Sequence, residues 1–166
     1  MKYNPHYCSH LPVLIKTLQI TNGDVLELGT GLFSTPVIHW LCIPHGRYVY
    51  SLEYDPKYLA FVEGFTEPLH KIEAVPDWDW DKVDIEKQWD VVLVDHSPGE
   101  RRKVEITRLA NLAKYIIVHD TDWRNEKHYH YADIYPLFKY RYDYQVMKPR
   151  TTILSNFIDL KDFIPC

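Results

Sequence analysis

The chain has 166 residues and a formal net charge of −4. That length supports one domain around a single core and leaves little room for an appended substrate domain, and the acidic balance excludes a global attraction to nucleic acid. Cys8, Cys42 and Cys166 are scattered with no C-x-x-C pair, which excludes a zinc knuckle or a disulfide framework. No apolar run is long enough to span a membrane, and no signal peptide is present, so a cytoplasmic protein with reduced thiols is expected.

The segment Met1 to Ile20 carries Leu11, Val13, Leu14, Ile15 and Leu18 on one helical face. Ser9 is its expected N-cap, with Pro12 in the first turn. His6, Tyr7 and His10 either face the functional site or belong to an ordinary docked segment. Gly23 to Thr35 then reads as a buried strand, a glycine turn and a helix start. Val25, Leu26 and Leu28 suit a central parallel strand. Gly29 and Gly31 let a ligand approach the main chain, Ser34 or Thr35 can cap the helix before Pro36, and Glu27 stands two residues before the first glycine. The helix over 33–42 stops at Ile43-Pro44-His45-Gly46.

Arg47 to Glu53 is the expected second strand. Glu53 ends it at the spacing that lets an acid accept hydrogen bonds from both ribose hydroxyls of an adenosine cofactor; the alternative is a solvated strand-end carboxylate. Asp55-Pro56 caps a second helix. Leu69 to Val75 is a third strand, followed by the polar, aromatic loop 76–81. Four consecutive apolar residues make Gln88 to Asp95 a strand buried on both faces. Beyond its tip, Ser97 and Glu100 have capping-box spacing with Pro98 at the first helical position. Arg101, Arg102 and Lys103 would oppose that helix's dipole, so they have either an acidic or anionic partner or a solvated face. Tyr115 to Val118, the fifth strand, ends in His119-Asp120. A polar loop over 125–131 and a short helix over 132–138 precede a hairpin of Tyr140 to Met147 and Thr151 to Asn156. No repeat or linker divides the chain, which predicts one domain, 1–166, with a leading segment 1–20 and a core 21–156.

Glu27-Leu28-Gly29-Thr30-Gly31 resembles the first motif of the class I S-adenosylmethionine-dependent methyltransferases, and Glu53 and the last hairpin extend the resemblance over nearly the whole chain. It implies an α/β fold: a seven-stranded, mostly parallel Rossmann-like sheet with an antiparallel C-terminal hairpin. It also implies methyl transfer, with S-adenosylmethionine held by Glu27, Gly29, Gly31 and Glu53, and by Asp77 and Trp78 on the adenine side. Some O-methyltransferases of this fold hold a divalent cation such as magnesium at the tips of the fourth and fifth strands. Asp95, His119 and Asp120 are the corresponding ligands here, and Asp95, His96 and His119 the candidates for removing a proton. The tip 95–98 lacks the acid-or-amide, proline, proline, aromatic motif of the DNA amino methyltransferases, and the RNA ribose methyltransferase set is not evident. By elimination the acceptor is a hydroxyl on a small molecule or sugar. Two alternatives stay open: a cofactor-binding protein or partner subunit without turnover, and an NAD-dependent oxidoreductase, although Ser34 stands where its third glycine belongs.

Overall fold

The computed structural model describes residues 4–75, 77 and 79–165. Seven strands form one sheet: β1 (Val25–Leu28), β2 (Val49–Glu53), β3 (His70–Ala74), β4 (Trp89–Val94), β5 (Ala113–Val118), β6 (Tyr140–Tyr144) and β7 (Thr151–Ser155). Their order is β3-β2-β1-β4-β5-β7-β6. β1 to β5 are mutually parallel, and β7 lies antiparallel between β5 and β6. This is the expected sheet, hairpin included. Every residue of β1, β2 and β4 is buried, which is why those strands read as nearly continuous apolar runs.

The two faces are covered by different helices. Val13, Leu14 and Leu18 of α1 (Leu11–Gln19) and Ile38 and Cys42 of α2 (Ser34–Cys42) pack with Val25, Val49, Val91 and Leu93. On the other face, Ile106 and Leu109 of α4 (Arg102–Leu109) join Trp80, Trp89, Leu26, Leu28, Val92 and Val94. α3 (Pro56–Val62) starts at Asp55, whose carboxylate accepts from Lys57 N at 2.8 Å, as the sequence predicts. α5 (Glu126–Tyr129) is short. From β1 the sheet runs one way through β2 and β3 and the other way through β4 and β5, and that reversal opens a crevice at the carboxyl ends of the strands. Among the described residues no helix is long and apolar enough to cross a membrane.

Several local expectations give way to tertiary contacts. Ser9 does not cap α1: His10 holds that position without a side-chain bond, because the Ser9 hydroxyl is drawn 140 residues along the chain to Pro149 O at 2.7 Å. α2 has Phe33 as an uncapped N-cap. Thr35 instead accepts from Gly31 N and donates to Glu27. The capping box at Ser97 is not formed. Pro98 precedes a 3-10 turn, Gly99–Arg101, and α4 opens at Arg102. The segment 125–131 contains α5, while 132–138 is built of two 3-10 turns rather than a helix. Arg47 lies before β2, where its guanidinium donates to Leu18 O, Gly23 O and Thr21 Oγ1.

The turn after β1 depends on one glycine. Gly29 has φ +92°, and a Cβ there would stand 2.6 Å from His96 N and 2.7 Å from Asp95 C at the tip of β4. Neither the angle nor the backbone contact can relax independently. Gly29→Ala is expected to destabilise the fold by at least about 2 kcal/mol, read as a shift of the urea unfolding midpoint at unchanged slope.

Candidate active site

A cleft of about 240 Å³ lies over the carboxyl ends of β1, β2, β4 and β5. The glycine loop from Thr30 to Ser34 forms one wall, and Glu53, Tyr54 and Asp55 form another. Asp95, His119, Asp120 and Arg102 make the floor, while Tyr7 and His10 close it from the leading segment. Of the three leading-segment candidates only His6 stays outside, bonded to Lys148 O at 3.1 Å.

Glu53 is fixed by main-chain donors. One oxygen accepts from Thr30 N at 2.9 Å, and the other from Tyr54 N at 2.8 Å and Asp55 N at 2.9 Å. Burial raises its carboxyl pKa, and these donors limit the rise. The carboxylate therefore ties the glycine loop to the tip of β2 while bordering the cleft. Gly31 borders it too; Gly29 sits behind, against β4.

Glu27 takes a different position. Its side chain is fully buried behind the glycine loop, accepting from Ser51 Oγ at 2.7 Å and from Thr35 Oγ1 at 3.0 Å. Burial pushes its carboxyl up to about 7, against the pull of the Ser34, Ser51 and Thr35 hydroxyls.

The floor is a connected polar set. His119 Nε2 is 2.9 Å from Ser9 Oγ, and His119 Nδ1 is 3.1 Å from Asp95 Oδ2. The line Ser9–His119–Asp95 has the order of a hydrolase triad, but the Ser9 proton is committed to Pro149 O and the hydroxyl is fully buried. Ser9 must accept from His119, so it is not an activated nucleophile. Both His119 nitrogens then donate. Burial opposes the charge on His119, yet the Asp95 and Asp120 carboxylates together outweigh burial and raise its pKa. Conversely, burial would raise Asp95, but His119 and Arg102 hold it well below the usual carboxylate range.

Arg102 is the buried centre of this floor. It donates to His96 O at 2.6 Å, Asp95 O at 3.0 Å and His119 O at 3.3 Å, and pairs with Asp95 Oδ1 at 2.9 Å and Asp120 Oδ2 at 3.6 Å. Asp120 has φ +59°, a left-handed conformation that aims its carboxylate back over the strand tips. His10 stands edge-on to His119, 4.9 Å between centroids, and neither of its nitrogens has a hydrogen-bond partner although it is only 2% exposed. Burial, aided by the His119 charge, lowers its pKa to about 3, so it is a neutral imidazole.

Asp95, His119 and Asp120 are therefore brought together as the sequence predicts. The closest set of ligand atoms among the described residues, however, is His10, Asp95 and His119, all within 4.8 Å of one another. His96 lies on the cleft, but its ring stacks on Trp80 and its Nε2 faces Glu105 at 3.3 Å in the scaffold. Asp77 is exposed and does not border the cleft, and Trp78 lies outside the described residues. Sequence reasoning missed Arg102 as a floor residue. The only available signal was its opposition to a helix dipole. It also missed Ser9 as the partner of His119, for which no sequence signal exists.

No family model and no curated protein matches the sequence. Solved structures do. Cofactor-bound Rv0187 from MTB superposes with a TM-score of 0.67 at 18% identity, covering 95% of this chain and 83% of that one. An O-methyltransferase from Bacillus cereus in complex with SAH gives a TM-score of 0.64 at 14% identity, covering 93% and 82%. The human methyltransferase 10 domain containing protein gives 0.62 at 13%, covering 95% and 85%. This is the class I methyltransferase fold.

Two consequences of this particular methyltransferase fold are measurable. Arg102→Met removes the guanidinium joining Asp95 to Asp120 and is expected to destabilise by about 3–5 kcal/mol. Arg102→Lys should not restore it, because an ammonium cannot reproduce the planar fork across three carbonyls and two carboxylates. Urea unfolding of both variants checks this. Glu27 ionises from about pH 4.5 upward in the unfolded chain but only near 7 in the folded one. Folding therefore retains a proton: the stabilising contribution is complete below pH 4.5 and is lost as pH rises through 7. Glu27→Gln is accordingly expected to gain stability relative to wild type, by up to about 3 kcal/mol, between pH 5 and pH 8. Unfolding midpoints at the two pH values report it.

Proposed function

We propose that the protein is an S-adenosylmethionine-dependent methyltransferase acting on a hydroxyl group of a small molecule or sugar. One observation carries this reading. The glycine loop and the Glu53 carboxylate stand across a single cleft from the Asp95–His119 pair. The first two suit an adenosine-bearing cofactor, with Glu53 accepting from the ribose hydroxyls and Tyr54 beside the base. The last two suit an acceptor oxygen.

Transfer is an in-line displacement, in which an oxygen–carbon bond forms as the sulfonium–carbon bond breaks. The cofactor supplies the reactive methyl group; the protein orients the two partners and removes the acceptor's proton. That proton becomes strongly acidic as the oxygen takes on the methyl group. A carboxylate with a depressed pKa is then a sufficient base, and Asp95 accepts it. His119, with its two N–H groups held by Ser9 and Asp95, orients that carboxylate.

A divalent cation also fits the floor. His10 presents two unpartnered nitrogens while buried, beside Asp95 and His119. Two imidazoles and a carboxylate suit a borderline cation such as zinc, iron or manganese better than magnesium. Asp120 is the fourth candidate, although its carboxylate faces Arg102. To hold such a cation His119 would have to release the proton it shares with Asp95. The ion would lower the pKa of the acceptor hydroxyl.

Calorimetric titration with S-adenosylhomocysteine, with NAD in parallel, tests the reading. S-adenosylhomocysteine is expected to bind, and Glu53→Ala to weaken it by about ten- to a hundredfold, the worth of a charge-assisted hydrogen bond. Binding of NAD alone would overturn the methyltransferase reading. In the same series, zinc or manganese retained by wild type and lost in His10→Ala would place the cation. Equal retention by the variant would remove His10 from the ligand set.

A further inference from the structure

Behind the glycine loop, away from the floor, the carboxyl of Glu27 begins a line of buried polar side chains that the transfer chemistry does not use. Glu27 Oε2 is 2.7 Å from Ser51 Oγ, and Ser51 Oγ is 2.9 Å from His70 Nε2. His70 Nδ1 is 3.0 Å from His39 Nδ1, and His39 Nε2 is 3.9 Å from the carboxylate of Glu67. Glu27, Ser51 and His70 are fully buried and His39 is 4% exposed, whereas the Glu67 side chain is half exposed. We propose that Ser51, His70 and His39 form a proton path between the buried Glu27 carboxyl and solvent at Glu67.

Every hydrogen bond from Glu27 to His39 can reverse its direction. With Glu27 protonated, its hydroxyl donates to Ser51, Ser51 donates to His70 Nε2, His70 Nδ1–H donates to His39 Nδ1, and His39 Nε2–H points to Glu67. When Glu27 ionises, each proton moves one place outward. The Glu27 O–H bond breaks and the proton joins Ser51 Oγ; the Ser51 proton joins His70 Nε2; the His70 Nδ1 proton joins His39 Nδ1; and the His39 Nε2 proton leaves through Glu67 to water. The chain ends with Ser51 donating to the Glu27 carboxylate and both imidazoles still neutral. Neither pattern places a charge on a buried histidine.

The surroundings support a neutral His70 and a titrating Glu27 carboxyl. Glu27 is faced by Ser34 and Thr35 from α2, Ser51 from β2, and the charge of Glu53 at the end of β2. Burial and the neighbouring His39 lower His70 to about 4, and Glu27 is pushed up to about 7. His39 is otherwise packed by the rings of Trp40 and Phe65. The role at the site rests on the methyltransferase reading: a cationic cofactor seated against the glycine loop favours ionised Glu27 and covers the cleft side. The proton then departs across β2 and β3.

A pH jump on the protein alone, from below to above pH 7, tests the path. Time-resolved infrared spectroscopy follows the carboxyl band that Glu27→Gln removes. The band is expected to decay about tenfold or more slowly in His39→Ala, with the wild-type rate restored by added imidazole. Decay at the wild-type rate in His39→Ala would overturn the path, as would slow decay that imidazole does not restore. Should the alanine variant not fold, His39→Gln carries the same comparison, since an amide keeps a hydrogen bond but does not pass the proton on. Because no cofactor is needed, failure to bind S-adenosylhomocysteine would sink the functional reading and leave the path standing.

Discussion

The cleft depends on one buried guanidinium, that of Arg102. Adjacent parallel strands β4 and β5 deliver two carboxylates, Asp95 and Asp120, and two main-chain carbonyls to the same few ångströms. Without a counter-charge these groups would repel and the strand tips would splay. Arg102 meets all of them at once, and its fork also receives His96 O. The same charge contributes to holding Asp95 ionised. A structural requirement and a chemical one are thus met by one side chain, because a planar guanidinium suits several acceptors in fixed directions.

Around that centre the sheet separates tasks by strand. β1 and β2 end in the loop and carboxylate that suit a nucleoside; β4 and β5 end in groups that suit proton transfer. The leading segment lends Tyr7 and His10 to the wall and Ser9 to the orientation of His119, so a stretch outside the sheet completes the floor. Polarity is also sorted by depth. Glu53 borders the cleft and is held by main-chain N–H groups, while Glu27 sits behind the loop among hydroxyls and loses much of its acidity to burial.

The parts of this arrangement legible in sequence are those set by local periodicity and backbone need. Buried strands announce themselves as apolar runs, the turn after β1 by its glycines, and the strand-end acids by their spacing. What escaped was set by partners remote in the chain. Ser9 has a cap's spacing, yet a carbonyl at Pro149 competes for its hydroxyl. Arg102 does stand at the start of a helix, but the 3-10 turn between Pro98 and α4, beyond which its side chain is buried, leaves no mark in the residue pattern. His96 adjoins Asp95, but successive side chains in extended backbone point to opposite sides, so its imidazole meets Glu105 instead. Ser51, His70 and His39 each look like an isolated polar residue in a buried element, and only the packing of α2 against β2 and β3 lines them up.

The bond from Ser9 to Pro149 also has a bearing on biosynthesis. The hydroxyl that orients His119 is itself oriented by the turn joining β6 to β7, which the ribosome makes long after the glycine loop and both strand tips. A nascent chain can therefore pair its parallel strands early, as sequential elements tend to do. The floor of its cleft stays unfinished until the last hairpin has emerged and docked. The floor is in this way finished only after the hairpin of β6 and β7 has been made.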